Sequence, residues 1–307
     1  MTSNNPMQEW VSVRFRRLLS GAADGKPPWL DIIAGGDEGG LYVPTDAPWV
    51  IHRDFGTLVG GIRALLMQAL HPGSLAGVAD HSRYEKDPLG RLAGTIRWLT
   101  ITTFGSHEAV SKEASRVNRL HDRVTGMYDT GHDETRPYRA ADPDLLLWVH
   151  VAFMESFLVA HEMYAVTPIP RGSAASPADN YVEQWGRSVE PLGLNTTPAT
   201  RREMDDIITD LWLRGVLVSS ESTTAVVGFI RRPPLPLAVR PIYRLLFDAA
   251  VVSMRPEFRA MLGLTAKPRW LVVPLTRAVL RLIRVAIGPE SPIEDGALDR
   301  LRRIGVL

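Results

Sequence analysis

The chain has 307 residues and a formal net charge of +1, from 35 basic and 34 acidic side chains, so no concentrated basic balance argues for nucleic acid. It contains no cysteine, which excludes disulfides, thiolate zinc sites, iron–sulfur clusters and thiolate-ligated haem together. Its 45% hydrophobic and 22% charged residues describe an ordinary globular protein able to bury a large core and an internal cavity.

The opening MTSNNPMQEWVSVRF has no apolar core of the signal-peptide kind. No uninterrupted apolar run of about 20 residues appears, so no spanning helix is expected. A soluble cytoplasmic protein is the expectation. Residues 1–50 carry a short amphipathic segment, Trp10 to Leu19, then a Gly/Pro-rich stretch with Gly35-Gly36 and Gly39-Gly40 that ends at Pro48. They read as an irregular arm over a core. Thr57 to Leu70 has apolar residues at helical spacing, and His71-Pro72 ends it, because proline disfavours helix in the residue before it. Helices are predicted over Arg91–Thr103 and over His107–Val124, the latter closed by Gly126.

Asp142-Pro143-Asp144 is a helix start, with Asp as cap and Pro in the first turn. The helix it opens, Leu145 to about Tyr164, is nearly all apolar and belongs at the centre. Pro177–Asn195 and Thr200–Leu217 read as two more helices. Arg231-Arg232-Pro233-Pro234-Leu235-Pro236 is a break, and two or three helices follow. Alternating strand patterns are rare and internal repeats absent. The expected fold is all-α, one mainly helical domain: an N-terminal arm (1–50), a core (51–230) and C-terminal helices packing on it (231–307).

Without thiols, the eight histidines are the candidate metal ligands. A zinc-protease helix needs His-Glu-x-x-His; His107-Glu108 and His161-Glu162 begin it, but Ser111 and Ala165 stand where the second His belongs. A carboxylate-bridged di-iron bundle needs Glu three residues before His. Asn118, Leu147 and Leu158 occupy those places before His121, His150 and His161. A single axial imidazole on a porphyrin asks only for one inward His on an apolar helix wall. Val117, Leu120, His121 and Val124 recur at i, i+3, i+4 and i+7, which turns His121 inward. His150 shares a face with Met154, Phe157, Leu158 and His161. An inward-facing histidine is more often a satisfied core residue than a ligand, and by spacing alone that holds for both. Arg91 and Thr95 are four apart and neighbours on a helix face; they suit binding a carboxylate or steering oxygen chemistry, or form a solvated surface pair.

Together these residues resemble the oxygenase MpaB family, which includes the latex-clearing proteins. The resemblance spans roughly Gly60 to Leu194. Its landmarks are His71-Pro72, His81-Ser82, Asp87-Pro88-Leu89-Gly90-Arg91 with Thr95, Phe104-Gly105, Leu120-His121 with Val124 and Gly126, then Tyr138, Asp142-Pro143, Trp148-Val149-His150 and Leu192-Gly193. The resemblance implies a helical fold around haem b, with His121 as proximal iron ligand and Arg91 and Thr95 on the oxygen-binding side. Arg91 is also a candidate partner for a haem propionate. His150 matches a pocket or supporting position. Relatives use dioxygen to cleave carbon–carbon double bonds of isoprenoid chains. Some latex-clearing proteins carry a lysine between the Arg and Thr of that motif, able to occupy the open iron site; here the interval is Leu92-Ala93-Gly94.

The expected function is therefore a haem-b-dependent oxygenase acting with dioxygen on an apolar isoprenoid or lipid-like molecule. The rivals are a haem peroxidase or oxidase of a small metabolite and a non-catalytic haem or lipid carrier. Arg277, Arg281 and Arg284 share one face within Trp270–Ile287, which suits either an anionic membrane surface or a solvated face of a packed helix.

Overall fold

A computed structural model describes residues 27–81, 88–132, 134–287 and 291–307. The segment Trp10–Leu19, the landmarks Ser82 and Asp87, and the side chains of His81 and Arg91 lie outside that description. The described chain is mainly helical, with one two-stranded hairpin. In order it forms α1 (Leu30–Ala34), α2 (Ala47–His52), α3 (Gly56–Gln68), α4 (Pro72–His81), α5 (Pro88–Phe104) and α6 (His107–His121). The hairpin follows as β1 (Thr125–Asp129) and β2 (Thr135–Arg139), then α7 (Pro143–Tyr164), α8 (Pro177–Gly186) and a 3₁₀ turn, Arg187–Leu192. The rest is α9 (Arg201–Leu213), α10 (Glu221–Arg231), α11 (Arg240–Ser253), α12 (Pro256–Met261), α13 (Arg269–Ile287) and α14 (Pro292–Arg303).

Several helix starts are written into single side chains. Ser106, Ser176, Thr200 and Ser220 each accept the backbone N–H three residues on, a bond that satisfies one of the free donors at a helix N-terminus and contributes about 1 kcal/mol. Asp142 does otherwise. It makes no side-chain cap to α7; its Oδ2 accepts from Arg139 N at 2.9 Å and ties off β2 instead.

The centre is α3 laid along α7. Gly60 makes that approach possible, because a Cβ there would lie 2.6 Å from Phe157 Cδ1. Its neighbour Gly61 meets nothing within 4 Å. One turn on, the buried Arg63 donates through Nη2 to Glu155 Oε1 at 2.6 Å and through Nη1 to Glu155 Oε2 and Ser156 Oγ. A guanidinium fork is the geometry that makes a buried ion pair tolerable. α7 is long and apolar enough to cross a membrane by length and composition, and most of that stretch is buried inside the protein. α11 packs on α3, and α13 packs on α11 and α7.

Among the described residues, four helices rather than two or three follow Pro236, and four further expectations need correction. His71-Pro72 does not merely stop a helix: it ends α3 and opens α4, with proline in the first turn. The Gly/Pro-rich stretch before Pro48 is not only a covering arm. All six residues of α2 are buried, and Trp49 inserts to donate from Nε1 to Glu294 Oε1 at 2.9 Å. α10 stands where no helix was expected. The helix predicted to Val124 stops at His121, and the hairpin begins four residues later. Five-residue strands containing Gly126 and Pro137 carry a weak strand signal.

Candidate functional site

α5 and α6 run antiparallel out of the Gly105-Ser106 turn. Ser106 Oγ caps α6 through Ala109 N at 3.1 Å, and His107 N donates to Gly39 O at 2.9 Å. Their pairing is held by Glu113, a carboxylate only 2% exposed on α6. Arg97 Nε of α5 donates to its Oε2 at 2.9 Å, while Arg116 donates to its Oε1 through Nη2 at 2.6 Å and through Nε at 2.9 Å. These residues, with Gly36, Lys112 and Arg119, line a cleft of about 420 Å³ between α1, α5 and α6. Its inner guanidiniums are committed to Glu113, so the cluster works as a brace.

The brace aligns the helix pair whose far ends carry the candidate residues. Glu113, Val117 and His121 follow one another at i, i+4 and i+8, so they share a face of α6. Arg91 and Thr95 lie one turn apart on α5, toward the end away from the Gly105 turn. Thr95 is half-buried. Val117 is buried as expected, but Leu120 is 52% exposed. The inward face of α6 is therefore Val110, Glu113, Ala114, Val117 and His121, narrower than the periodicity indicated.

His121 is half-buried in the last turn of α6, and its Nδ1 is a buried atom without a hydrogen-bond partner. Burial lowers its pKa; Asp122 opposes that shift and Arg116 adds to it. The ring is thus held toward its neutral form, with a free nitrogen. His150, on α7, is buried more deeply, and burial takes its pKa down to about 3. Its Nε2 also lacks a partner. The third unpaired imidazole nitrogen among the described residues is His161 Nδ1, but that ring is anchored by Nε2–H donating to Thr167 O at 2.8 Å.

A wall of aromatic rings joins the start of α4 and α7 to the hairpin. The His71 ring lies 6.3 Å from Tyr128 of β1 and 6.2 Å from Trp148 of α7, and Tyr128 lies 6.4 Å from Tyr138 of β2. Ser74 N donates to His71 Nδ1 at 3.4 Å, so the ring crowns the start of α4. Burial lowers its pKa to about 4. Tyr138 is 2% exposed and fills the space between hairpin and α4. A Cβ at Gly126 would come within 2.8 Å of its ring, which is why that position is glycine. Trp148 Nε1 is a further buried donor without a partner. Glu113 and Tyr128 were missed in the sequence; His71, Tyr138 and Trp148 were landmarks there, but their meeting in one wall was not read. The i, i+4, i+8 relation of Glu113 to His121 is the one signal that pointed to the brace.

Buried polar atoms in folded proteins are nearly always paired. Two neutral imidazoles, one ending α6 and one on α7, each keep an unsatisfied nitrogen, and a neutral imidazole nitrogen is the donor an iron porphyrin takes from protein as axial ligand. Among the described residues no three His, Asp or Glu side chains converge as a metal-binding group.

No curated protein and no solved structure matches the chain. A family model described as the ER-bound oxygenase mpaB/B′ and rubber oxygenase catalytic domain matches residues 49–285. That span takes in α3 to α13, with the ring wall, the brace and both unpaired histidines. The chain belongs to this family, and is an oxidoreductase of the oxygenase type.

Proposed function

We propose that the protein is a haem-b-dependent oxygenase that uses dioxygen on an apolar, isoprenoid or lipid-like small molecule, with His121 as the iron's protein ligand. The observation that carries the reading is the unpaired, buried imidazole nitrogen of His121 at the end of α6, inside the family match. The haem, when bound, supplies the iron centre that activates dioxygen.

The chain's own residues do the rest. Protonated imidazole cannot coordinate, and burial keeps His121 in the basic form to lower pH than an exposed histidine. Arg91 and Thr95 stand one turn apart on α5, and a guanidinium with a hydroxyl suits holding negative charge that develops on oxygen. Arg91 is equally suited to pair with a propionate. His150 and Trp148 offer polar atoms in an otherwise apolar wall. Apolar side chains along α7, such as Met154 and Phe157, suit a hydrocarbon chain. The Leu92-Ala93-Gly94 interval carries no amine that could compete for the open side of the iron.

The test is an absorption spectrum of the purified protein, oxidised and then reduced. A strong Soret band that His121→Ala abolishes supports the reading. Arg91→Ala is expected to retain haem and lose oxidation of substrate. Oxygen uptake without added peroxide separates an oxygenase from a peroxidase. A colourless protein that takes up no haem on reconstitution ends the proposal.

A further inference from the structure

We propose that the outward face of α13 docks on an anionic lipid bilayer. The inference is independent of the haem reading. α13 has two apolar faces. Val272, Thr276, Leu280 and Ile287 are buried against the protein. On the opposite side Leu271, Leu275, Ala278, Leu282 and Val285 follow at spacings of four and three, a continuous stripe along the helix, and every one of them is exposed. Leu282 is 66% and Val285 68% exposed, and Trp270 at the N-terminal end is 78% exposed. A contiguous apolar row of this kind is not an ordinary feature of a water-facing surface.

Charge decides what covers it. Lys267, Arg269, Arg277, Arg281 and Arg284 are the ionisable residues from Lys267 to Ile287, and no carboxylate lies among them. Arg277, Arg281 and Arg284 run along one edge of the stripe. Arg277 Nε donates to Met163 O at 2.8 Å and Arg284 Nη2 to Asp54 Oδ2 at 2.8 Å, which anchors the row at both ends. Arg281 between them is exposed. Lys267 pairs with Asp248 at 2.7 Å, which leaves Arg281 and Arg269 to meet lipid phosphate while the leucines enter the acyl boundary and Trp270 rests at headgroup level. A second copy of the helix is a poorer match. Antiparallel pairing sets the arginine edge against itself, and parallel pairing offers it only Val279 and Ala286.

Flotation of the full-length protein with vesicles tests this. Binding is expected to vesicles of phosphatidylcholine mixed with phosphatidylglycerol and not to phosphatidylcholine alone, and to weaken as salt is raised. Arg281→Gln is expected to lower partitioning about fivefold, and Leu282→Glu by more than about tenfold. Both side chains are exposed, so circular dichroism and the urea midpoint should match the parent protein. Equal binding to both vesicle types overturns the proposal, as does binding to neither. A vesicle-independent dimer that Leu282→Glu dissolves assigns the face to a second copy and overturns it as well.

Discussion

At the scale of the residue, the histidines divide by what their nitrogens touch. His52 is fully employed, with Nδ1 2.8 Å from Thr103 Oγ1 and Nε2 3.0 Å from Tyr181 OH. His161 is half employed, and His121 and His150 each keep an unpaired nitrogen. An unpaired polar atom in an apolar setting is costly to keep without a ligand. His150→Phe should therefore leave the protein's unfolding free energy in urea unchanged or raise it by up to about 1 kcal/mol, while lowering, under the proposed haem reading, haem loading measured by reconstitution. A loss of several kcal/mol would mean that His150 is a packing residue and nothing more. Inward histidines were legible from helical spacing. Which of them is left unsatisfied was not, because that depends on groups far away in sequence.

At the scale of the element, two features hold the ends of α4, α6 and the hairpin together. Glu113 braces α5 to α6, and Tyr138 wedges the hairpin against α4. Removing the carboxylate leaves Arg97 and Arg116 without a partner; both guanidiniums are part-exposed, so water recovers much of the loss. Glu113→Ala should lower stability by about 1–2 kcal/mol in urea and, under the proposed haem reading, loosen haem retention, since it frees the helix that ends at His121. Gly126→Ala places a methyl group in the Tyr138 ring and should cost about 1–3 kcal/mol. If either variant is as stable as the parent, the hairpin and brace do not position the site. The helices were largely legible from period and prolines, whereas the one cap read from the sequence, Asp142, serves β2 instead. The hairpin was not, because its ten strand residues gain their stability from Tyr138 packing on α4 rather than from propensity.

At the scale of the molecule, three neutral histidines are buried together with the core. Burial lowers the pKa of His52 and His150 to about 3 and of His71 to about 4. The unfolded chain takes up protons on these rings near pH 6.5, whereas the folded chain refuses them until pH 3–4. Their contribution is thus fully present above about pH 6.5 and is lost as pH falls toward 4, each ring removing about 1.4 kcal/mol per pH unit. The melting temperature should fall steeply over that window. His52→Gln, which keeps hydrogen bonding but cannot titrate, should reduce the slope. A melting temperature flat between pH 7 and 4.5 would contradict the burial of these rings as neutral groups.

The family and the helical architecture were decided locally, by residues that act on their neighbours in sequence. Periodicity, caps and prolines set most helices, and the ordered landmarks from His71 to Gly193 carried the oxygenase resemblance that the match over 49–285 bears out. Tertiary structure decided the rest. It put α2 in the core, closed Tyr138 onto Gly126, gave Glu113 its two guanidiniums and left the leucine row of α13 facing outward. Each of these depends on side chains that meet from separate elements, and whether a polar atom is paired or an apolar face covered is known only once the partners have arrived.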